Sequence, residues 1–340
     1  MLCGYDKFKS EFLINGFKHG FRLYSVIEDA VLEAPNLLSA KQHPDIVDEK
    51  LRKELDANRI AGPFDTPPLN QFTVSPLGIV PKKSPGEYRM IHHLSYPKGS
   101  SVNDGISDEY TSVHYASISD AIKCIKNCGV GSFLAKTDIK HAFRIIPIHP
   151  DDHHLLGMKW KGLYYYDKCM PMGCASSCRT FETFSTAIEW IAQHILGISN
   201  IIHVLDDFLI CESSFDLCKR SLENLLALCE YLGIPIAPEK TIGPMKVISF
   251  VGIELDTENS VARLPMEKLN SAFRLVKNFK SRKKVTLQEL QSLIGTLNFA
   301  CSVIVPGRAF LRRIIDLTIG IKHPKHYIRL SREAKADLNV

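Results

Sequence analysis

The sequence predicts an α+β protein whose centre is a split βαβ sheet. Between residues 132 and 256 helical and strand patterns alternate, which is typical of proteins that pack helices on a sheet. Tight hairpins interrupt this alternation, whereas neighbouring parallel strands need long crossover connections. From residue 265 onward the pattern is helical and basic. We therefore expect a split βαβ sheet followed by helices, and not a doubly wound parallel sheet.

The first half of the chain contains one clear helix and one clear hairpin. Residues 1–44 are weakly patterned and are expected to form a poorly packed lead-in. Residues 45–58 place Val47, Leu51 and Leu55 on one stripe, which predicts a helix that stops before the Gly62-Pro63 break. The apolar runs 77–80 and 88–91 flank the turn-forming residues KSPGE and predict a hairpin.

The second half supplies the elements of the predicted sheet. Apolar residues with helical spacing indicate a helix over 175–196, on which Phe181, Phe184 and Ile188 share a side. In chain order we expect a strand over 132–139, a hairpin over 157–167 from GMKW and LYYYD, the helix over 175–196, a hairpin centred on Asp206 and Asp207, a helix over 216–232 and a strand over 247–255.

Composition excludes several classes of protein. The 340 residues are 45% hydrophobic and 23% charged, as in ordinary globular proteins. The segment MLCGYDKFKSEF lacks the apolar centre of a signal peptide, and no apolar run approaches the ~18 residues of a membrane helix. The ten cysteines show no paired CxxC spacing of the kind that binds zinc. We expect a soluble, reduced, intracellular protein without a membrane partner, and nucleus and cytoplasm stay open.

The stretch IIHVLDDFLI at 201–210 contains the most informative pattern. Two adjacent acids, Asp206 and Asp207, interrupt a run that otherwise resembles a buried strand. Burial of two carboxylates is costly unless a cation or a proton compensates their charge. Successive strand side chains point to opposite faces, so only a tight turn brings both carboxylates toward one region.

A third acid, Asp138, ends the predicted strand SFLAKTDI. A lone acid there is usually a helix cap or a surface residue. Placed on a strand adjacent to the hairpin acids, it would complete a concentrated negative site. Mg²⁺ suits such a site because it binds carboxylates together with substrate phosphates, and two ions stabilise both oxygens of an in-line phosphoryl displacement.

Five motifs in this chain resemble, in order, those of the palm of reverse transcriptases: TDIKHAF (137–143), MPMGCASSCRTFETF (170–184), VLDDFLI (204–210), GIPIAPEKT (233–241) and FVGIEL (250–255). Upstream, SPLGIVPKKSPGEYRMIHHLSYPKGSSVND resembles the fingers segment. Together with LQELQSLIGTLNFACSVIVPGRAFLRRIIDL, the amino-acid sequences of these motifs most resemble those of DIRS-group retrotransposons, relatives of gypsy-like elements. The resemblance covers about residues 45–335 and implies an RNA-directed DNA polymerase with the right-hand fold of fingers, palm and thumb.

The resemblance also implies a division of the chain. The implied parts are a lead-in over 1–44, fingers over 45–131, a palm over 132–256 with a fingers-contacting insertion near 150–170, and a thumb and connection over 257–340. The chain is expected to end before a ribonuclease H domain.

Carried over position by position, the resemblance makes Asp138, Asp206 and Asp207 the ligands of two catalytic Mg²⁺ ions, for which Mn²⁺ is expected to substitute. It implies that Lys240 protonates the leaving pyrophosphate and that the Phe143 ring excludes a ribose 2′-hydroxyl. The incoming dNTP is expected at Lys82 (or Lys83), Arg89, Phe143, Met172 and Gly173, and the primer end at Val251, Gly252 and Ile253. The implied partners are dNTPs and an RNA or DNA template with its primer, with the oligomeric state open.

Each of these residues also has an ordinary structural explanation. Phe143 would suit core packing, Lys82 and Arg89 a soluble hairpin, and Lys240 an exposed turn. Residues 251–253 would suit a simple edge strand. Relatives often have an aromatic at the position of Val204, Phe or Gln at that of Met172 and proline at that of Cys178, and these departures put fidelity and nucleotide preference in doubt.

Basic residues dominate the segment from Arg274 to Arg313, where Glu289 is the one acid. Such a block is typical of a solvated helical face, but phosphate contacts also need only Lys and Arg. Because the thumb and connection are expected here, the resemblance implies nucleic-acid contacts at Lys280, Arg282, Lys283, Lys284 and Arg308.

Three other interpretations compete with an active polymerase. The chain would be a catalytically inactive nucleic-acid-binding relic of a retroelement polymerase, a hydrolase with a carboxylate pair, or a protein in which Asp206 and Asp207 form a plain turn. The three intact acids argue against the relic. An adjacent doublet does not face a partner acid across a substrate, as such hydrolases require, and Asp-Asp lacks the glycine that tight hairpins prefer.

Overall fold

The computed structural model of the protein describes residues 4–27, 33–82 and 84–338. Lys83, the alternative to Lys82, lies outside these residues. The helices are α1 (Lys7–His19), α2 (Leu38–Gln42), α3 (Pro44–Asp56), α4 (Ile118–Cys128), α5 (Ser177–His194), α6 (Phe215–Tyr231), α7 (Met266–Ser281), α8 (Leu287–Ala300), α9 (Arg308–Asp316) and α10 (Arg332–Asp337). The strands are β1 (Ile60–Phe64), β2 (Leu77–Pro81), β3 (Tyr88–His92), β4 (Phe133–Asp138), β5 (Gly157–Trp160), β6 (Leu163–Asp167), β7 (Ile201–Val204), β8 (Asp207–Glu212), β9 (Ile242–Met245), β10 (Val247–Phe250), β11 (Ile253–Asp256), β12 (Val261–Arg263), β13 (Lys284–Thr286) and β14 (Tyr327–Arg329).

An antiparallel four-stranded sheet in the order β7–β8–β4–β9 forms the centre of the molecule. Helix α5 precedes β7 and helix α6 joins β8 to β9, so each helix lies between strands that are not neighbours in the sheet. This order is that of the split βαβ arrangement, and the predicted α+β fold class is confirmed.

Both faces of the central sheet are covered, because successive strand side chains alternate between the faces. Phe208 and Ile210 of β8 lie in a core with residues of α5 and α6. Leu209 and Cys211 lie in a second core, which α4, β10 and β11 complete. The sheet is therefore a rigid platform whose ends can hold functional side chains.

The stretch after α1 is packed into the core, and the expectation of a poorly packed lead-in is wrong for these residues. Phe21 and Leu23 are almost completely buried in the core beneath α5, and Phe21 pairs with Ile148 as an isolated bridge. The Asp152 carboxylate accepts hydrogen bonds from the Leu23 amide at 2.7 Å and from the Arg22 guanidinium at 3.0 Å. These single bridges have no periodicity, which explains why the sequence pattern was weak.

The remaining elements form two further units around their own cores. Strands β1, β6 and β5 make a three-stranded sheet that packs with α2, α3 and the β2–β3 hairpin. Helices α7, α8 and α9 enclose another core with β13 and β14. In the described residues no helix is both long and apolar enough to cross a membrane.

The predicted strand over 247–255 is instead a hairpin. Val251 and Gly252 both adopt positive φ, +47° and +79°, and reverse the chain between β10 and β11. An apolar run with strand composition predicts extended backbone throughout, and the single glycine was the one signal of the turn.

Candidate active site

The three predicted acids meet at one end of the central sheet. Asp138, the last residue of β4, lies directly opposite Asp207, the first residue of β8, in the antiparallel register. Directly opposite residues project to the same face. That face is the one that carries Leu134 and Leu209 and is covered by α4, β10 and β11. Asp206 occupies the turn before β8, where its carbonyl accepts a hydrogen bond from the Ile139 amide at 3.0 Å.

The carboxylates are crowded and partly desolvated, which shifts their protonation. Burial and the nearby Asp138 raise the pKa of Asp206. Burial, Asp138 and Asp206 raise the pKa of Asp207 to about 6, although Lys136 and Lys240 oppose that shift. Asp138 itself is 5% exposed. The site therefore concentrates negative charge that needs a cation.

Lys240 supplies one such cation in the structure. Its Nζ donates a hydrogen bond to Asp138 Oδ2 at 2.7 Å. Burial lowers the pKa of Lys240, but the bond to Asp138 and the nearby doublet outweigh burial and raise it. The lysine lies in the turn that follows α6, and the Ala237 amide in the same turn donates to the Asp138 carbonyl at 2.9 Å. The turn thus brings an ammonium group to the acids.

The donor set fits a hard divalent cation. Carboxylate oxygens are the protein ligands that Mg²⁺ prefers, and a bound cation would relieve the repulsion that raises the two pKa values. In residues 4–27, 33–82 and 84–338, no three His, Cys, Asp or Glu side chains already stand in an arrangement that would hold a metal ion. One Asp138 oxygen is instead engaged by Lys240.

A basic pocket of about 510 Å³ lies between α3, β3 and the segment after β4. Lys82 and Arg89 both line it. Val80 pairs with Arg89 in the β2–β3 hairpin, and Lys82, two residues after Val80, projects to the same side. Lys82 Nζ lies 3.1 Å from Glu87 Oε2 at the exposed tip of this hairpin. Met172 also lines this pocket, so the structure brings three of the predicted dNTP residues to one cavity.

Phe143 lies in the segment after β4, and Gly173 lies in the connection between β6 and α5. Phe143 is half-buried, and its ring packs against Phe181 of α5 with centroids 5.1 Å apart. Gly173 is exposed with φ +99°, a conformation that favours glycine, and a Cβ there would make only an ordinary contact, 3.8 Å from the His92 carbonyl oxygen. Asn103 holds this turn, because its amide donates to the Gly173 carbonyl and accepts from the Ala175 amide, each at 2.8 Å.

The predicted primer-contact residues differ in accessibility. Val251 is 39% exposed at the tip of the β10–β11 hairpin, whereas Ile253 is buried in the core beneath it. Gly252 has φ +79°, a conformation that favours glycine, and a Cβ there would displace the flexible Lys268 ammonium group. The turn, and not an edge strand, is what reaches the surface.

The predicted nucleic-acid-binding cations are mostly exposed. Lys280, Lys283, Lys284 and Arg308 all lie on the surface of the unit formed by α7, α8 and α9. Arg282 differs, because it is half-buried and its guanidinium bonds both oxygens of Glu289, at 2.6 and 3.1 Å. Glu289 also caps α8 through Thr286, so Arg282 has a structural partner inside the block.

The sequence interpretation missed two groups of residues near the site. Arg144 follows Phe143 and binds Glu54 and Asp167 with Nη2 at 2.8 and 2.6 Å. Glu182, within the quoted motif at 170–184, is buried and accepts a hydrogen bond from the Leu205 amide at 3.1 Å. A charged residue on the apolar side of a predicted helix indicates a buried polar contact. Its partner lies on another element, and the sequence does not show which one.

Comparisons with known proteins agree with this geometry. The family described as "Reverse transcriptase (RNA-dependent DNA polymerase)" matches residues 80–255. The Gag-Pro-Pol polyprotein of Mason-Pfizer monkey virus is 26% identical over 212 residues, which are 59% of this chain and 11% of that polyprotein. A foamy viral protease–reverse transcriptase solved with double-stranded DNA superposes with a TM-score of 0.67 at 17% identity, over 92% of this chain and 49% of that chain. Another, solved with an RNA/DNA hybrid, gives 0.66 at 15% identity, over 99% of this chain and 43% of that one.

The split βαβ sheet, the acids at its end and these structural neighbours define a right-hand polymerase fold. The family match covers half of the chain. The chain belongs to the reverse transcriptase family. It spans about a tenth of the retroviral polyprotein that it resembles.

Proposed function

We propose that this chain is the polymerase part of a retrotransposon reverse transcriptase, which adds dNTPs to a primer on an RNA or DNA template. The observation that carries the proposal is the convergence of Asp138, Asp206 and Asp207 at one sheet end beside Lys240. The foamy viral neighbours were solved with double-stranded DNA and with an RNA/DNA hybrid, which supports a template–primer as partner.

The reaction would be an in-line displacement in which the primer 3′-oxygen attacks the α-phosphate of a dNTP and pyrophosphate leaves. Asp138, Asp206 and Asp207 would hold two Mg²⁺ ions, which when bound supply positive charge at the attacking and leaving oxygens. Lys240 would donate a proton to the departing pyrophosphate. Lys82 and Arg89 would bind the triphosphate, because an ammonium and a planar guanidinium both complement phosphate oxygens.

Several other residues would select and hold the substrates. The half-buried Phe143 ring would exclude a ribose 2′-hydroxyl, and Met172 and Gly173 would lie against the nascent base pair. The turn at Val251 and Gly252, with Ile253 anchoring it in the core, would hold the primer end. Exposed cations of the α7–α9 unit would contact phosphates without reading sequence: Lys280, Lys283, Lys284 and Arg308, with Arg282 bound to Glu289.

Primer extension on poly(rA)/oligo(dT) with Mg²⁺ or Mn²⁺ tests the proposal. Asp206→Asn is expected to lower incorporation by roughly 10²-fold or more, since metal stabilisation is worth several kcal/mol. Template–primer binding should stay near that of the wild type. Glu223→Gln, which removes an exposed carboxylate on α6, is the matched control and should extend normally.

Two outcomes would contradict the assignment. Near-normal incorporation by Asp206→Asn would exclude the three acids as the metal ligands. Wild-type protein that binds template–primer but extends nothing would instead identify the inactive relic.

We also propose that the chain derives from a DIRS-like element. The support is the amino-acid sequence of the motif at 170–184 and of the segment near the carboxy-terminal end. Sequencing of the flanking DNA tests this, because an intact element is expected to encode ribonuclease H and recombinase modules next to the polymerase. Flanking reading frames of another retroelement class would exclude the DIRS-like origin.

A further inference from the structure

A buried charged cluster lies beside the hairpin of Asp206 and Asp207 and has no part in the function above. Glu182 and Glu189 are seven residues apart on α5, which places both on one face of the helix. His203 of β7 is 5% exposed, with Nδ1 2.5 Å from Glu189 Oε2 and Nε2 3.3 Å from Glu182 Oε1. Burial lowers the pKa of His203, but the two carboxylates outweigh it and raise the pKa to about 9. The cluster thus contains one imidazolium held between two acids.

The Glu182 side chain reaches from this cluster to the turn that contains Asp206 and Asp207. Its Oε2 accepts a hydrogen bond from the Leu205 amide at 3.1 Å. Leu205 immediately precedes Asp206 and has φ +54°. A leucine rarely adopts this left-handed conformation, so an interaction must hold it there. The Glu182 carboxylate is such an interaction.

A main-chain hydrogen bond holds the turn from its other side. The Ile139 amide, directly after Asp138, donates to the Asp206 carbonyl at 3.0 Å. This bond forms whatever side chains are present. The bond from Glu182, in contrast, is a side-chain contact through which sequence controls the turn.

We propose that Glu182 is a positioning residue for nucleotide addition: it fixes the Leu205–Asp206 turn so that the doublet faces Asp138. His203 Nε2, 3.3 Å from Glu182 Oε1, stabilises the other oxygen of this carboxylate. This inference rests on the proposed function, because Glu182 acts through Asp206 and Asp207. A role confined to joining α5 to β7 would need only the contact between Glu189 and His203.

Three substitutions separate positioning from a purely structural role. Glu182→Leu keeps the volume but removes the acceptor, whereas Glu182→Gln keeps an acceptor oxygen for the Leu205 amide. Glu189→Leu removes the other carboxylate of the cluster and leaves the turn contact intact, so it is the matched control. Both leucine variants lose a buried ion contact and should be destabilised to a similar extent.

In primer extension, Glu182→Leu is expected to lower kcat by roughly 10²-fold, the usual effect of a displacement of about 1 Å in a reacting group. The KM for dNTP should change by less than about threefold, because the triphosphate contacts lie elsewhere. Glu182→Gln and Glu189→Leu should keep kcat within about threefold to fivefold of the wild type. Equal losses in Glu182→Leu and Glu189→Leu would overturn the proposal.

A second readout needs no polymerase activity. Hydrogen exchange of the Leu205 amide in the wild-type protein should be at least about 10²-fold slower than that of an unbonded turn amide. Glu182→Leu should remove this protection and weaken Mn²⁺ binding, measured by electron paramagnetic resonance without nucleic acid, whereas Glu189→Leu should preserve both. An unprotected Leu205 amide in the wild type would overturn the proposal even where the leucine variant does not fold. Failure of the wild type to extend a primer would instead refute the proposed function.

Discussion

Arg144 joins three elements beside the basic pocket, and we expect its removal to destabilise the fold strongly. Its guanidinium bonds Glu54 of α3 at 2.8 Å, Asp167 of β6 at 2.6 Å and the Cys169 carbonyl at 3.2 Å. The Asp167 side chain is 5% exposed, and its other oxygen lies 3.2 Å from His92 Nδ1. In Arg144→Met the Asp167 carboxylate keeps its contact with the His92 ring but loses the guanidinium that always carries a positive charge.

Removal of one partner from a buried ion pair costs about 3–5 kcal/mol, because the remaining charge stays desolvated. With a urea m value of about 3 kcal/mol/M, a loss of about 4 kcal/mol lowers the unfolding midpoint by about 1.3 M. Urea unfolding followed by circular dichroism measures this shift. The same substitution at Arg312, whose side chain is 77% exposed and pairs with Asp316 on one helix turn, should change stability by less than about 1 kcal/mol.

A double variant shows whether the unpaired charge is the cause. Arg144→Met combined with Asp167→Asn removes the orphaned carboxylate and should recover at least about 1 kcal/mol relative to Arg144→Met alone. Equal midpoints for Arg144→Met and Arg312→Met would refute the reasoning. If the double variant is no more stable than Arg144→Met, the lost stability comes from the missing packing of the arginine side chain and not from the unpaired carboxylate.

Three further predictions concern the site. Phe143→Ala should increase ribonucleotide incorporation relative to deoxynucleotide incorporation in competition assays, and unchanged sugar discrimination would indicate a core role. Because the pKa of Asp207 is raised to about 6, the carboxylate loses its charge as pH falls through that value, so Mn²⁺ affinity measured by titration should fall between pH 7 and pH 5 and not only below pH 4. Lys240→Met should lower the single-turnover rate by about 10²-fold, as loss of a proton donor does; an unchanged rate would remove Lys240 from the chemistry.

Much of the central sheet was predictable because its signals are local. The acids of IIHVLDDFLI interrupt an apolar run, which indicates a turn, and the alternation of Phe208 and Leu209 between faces follows from the strand period. These local patterns therefore predict the β7–β8 hairpin and the strand that ends at Asp138. Those elements are sufficient to gather the three acids once β8 pairs with β4.

Other features depend on contacts that local patterns cannot encode. Leu23 packs in the core, and the carboxylate of Asp152, far along the chain, accepts a hydrogen bond from its amide. Glu182 interacts with a histidine of β7 and with the Leu205 amide, so its role became visible only when α5 and β7 were in place. The reversal at Val251 was missed because an apolar β-branched residue rarely has positive φ.

The register that sets Asp138 opposite Asp207 limits how related chains can change in length. Because side chains alternate with a period of two, one residue gained or lost inside β4 or β8 would turn every later side chain to the other face. After such a change in β4, Asp138 would point into the core beneath α5 and α6, which is built from hydrophobic side chains. Active relatives should therefore accept length changes in exposed connections, such as the turn between β5 and β6, and keep the spacing within these two strands unchanged.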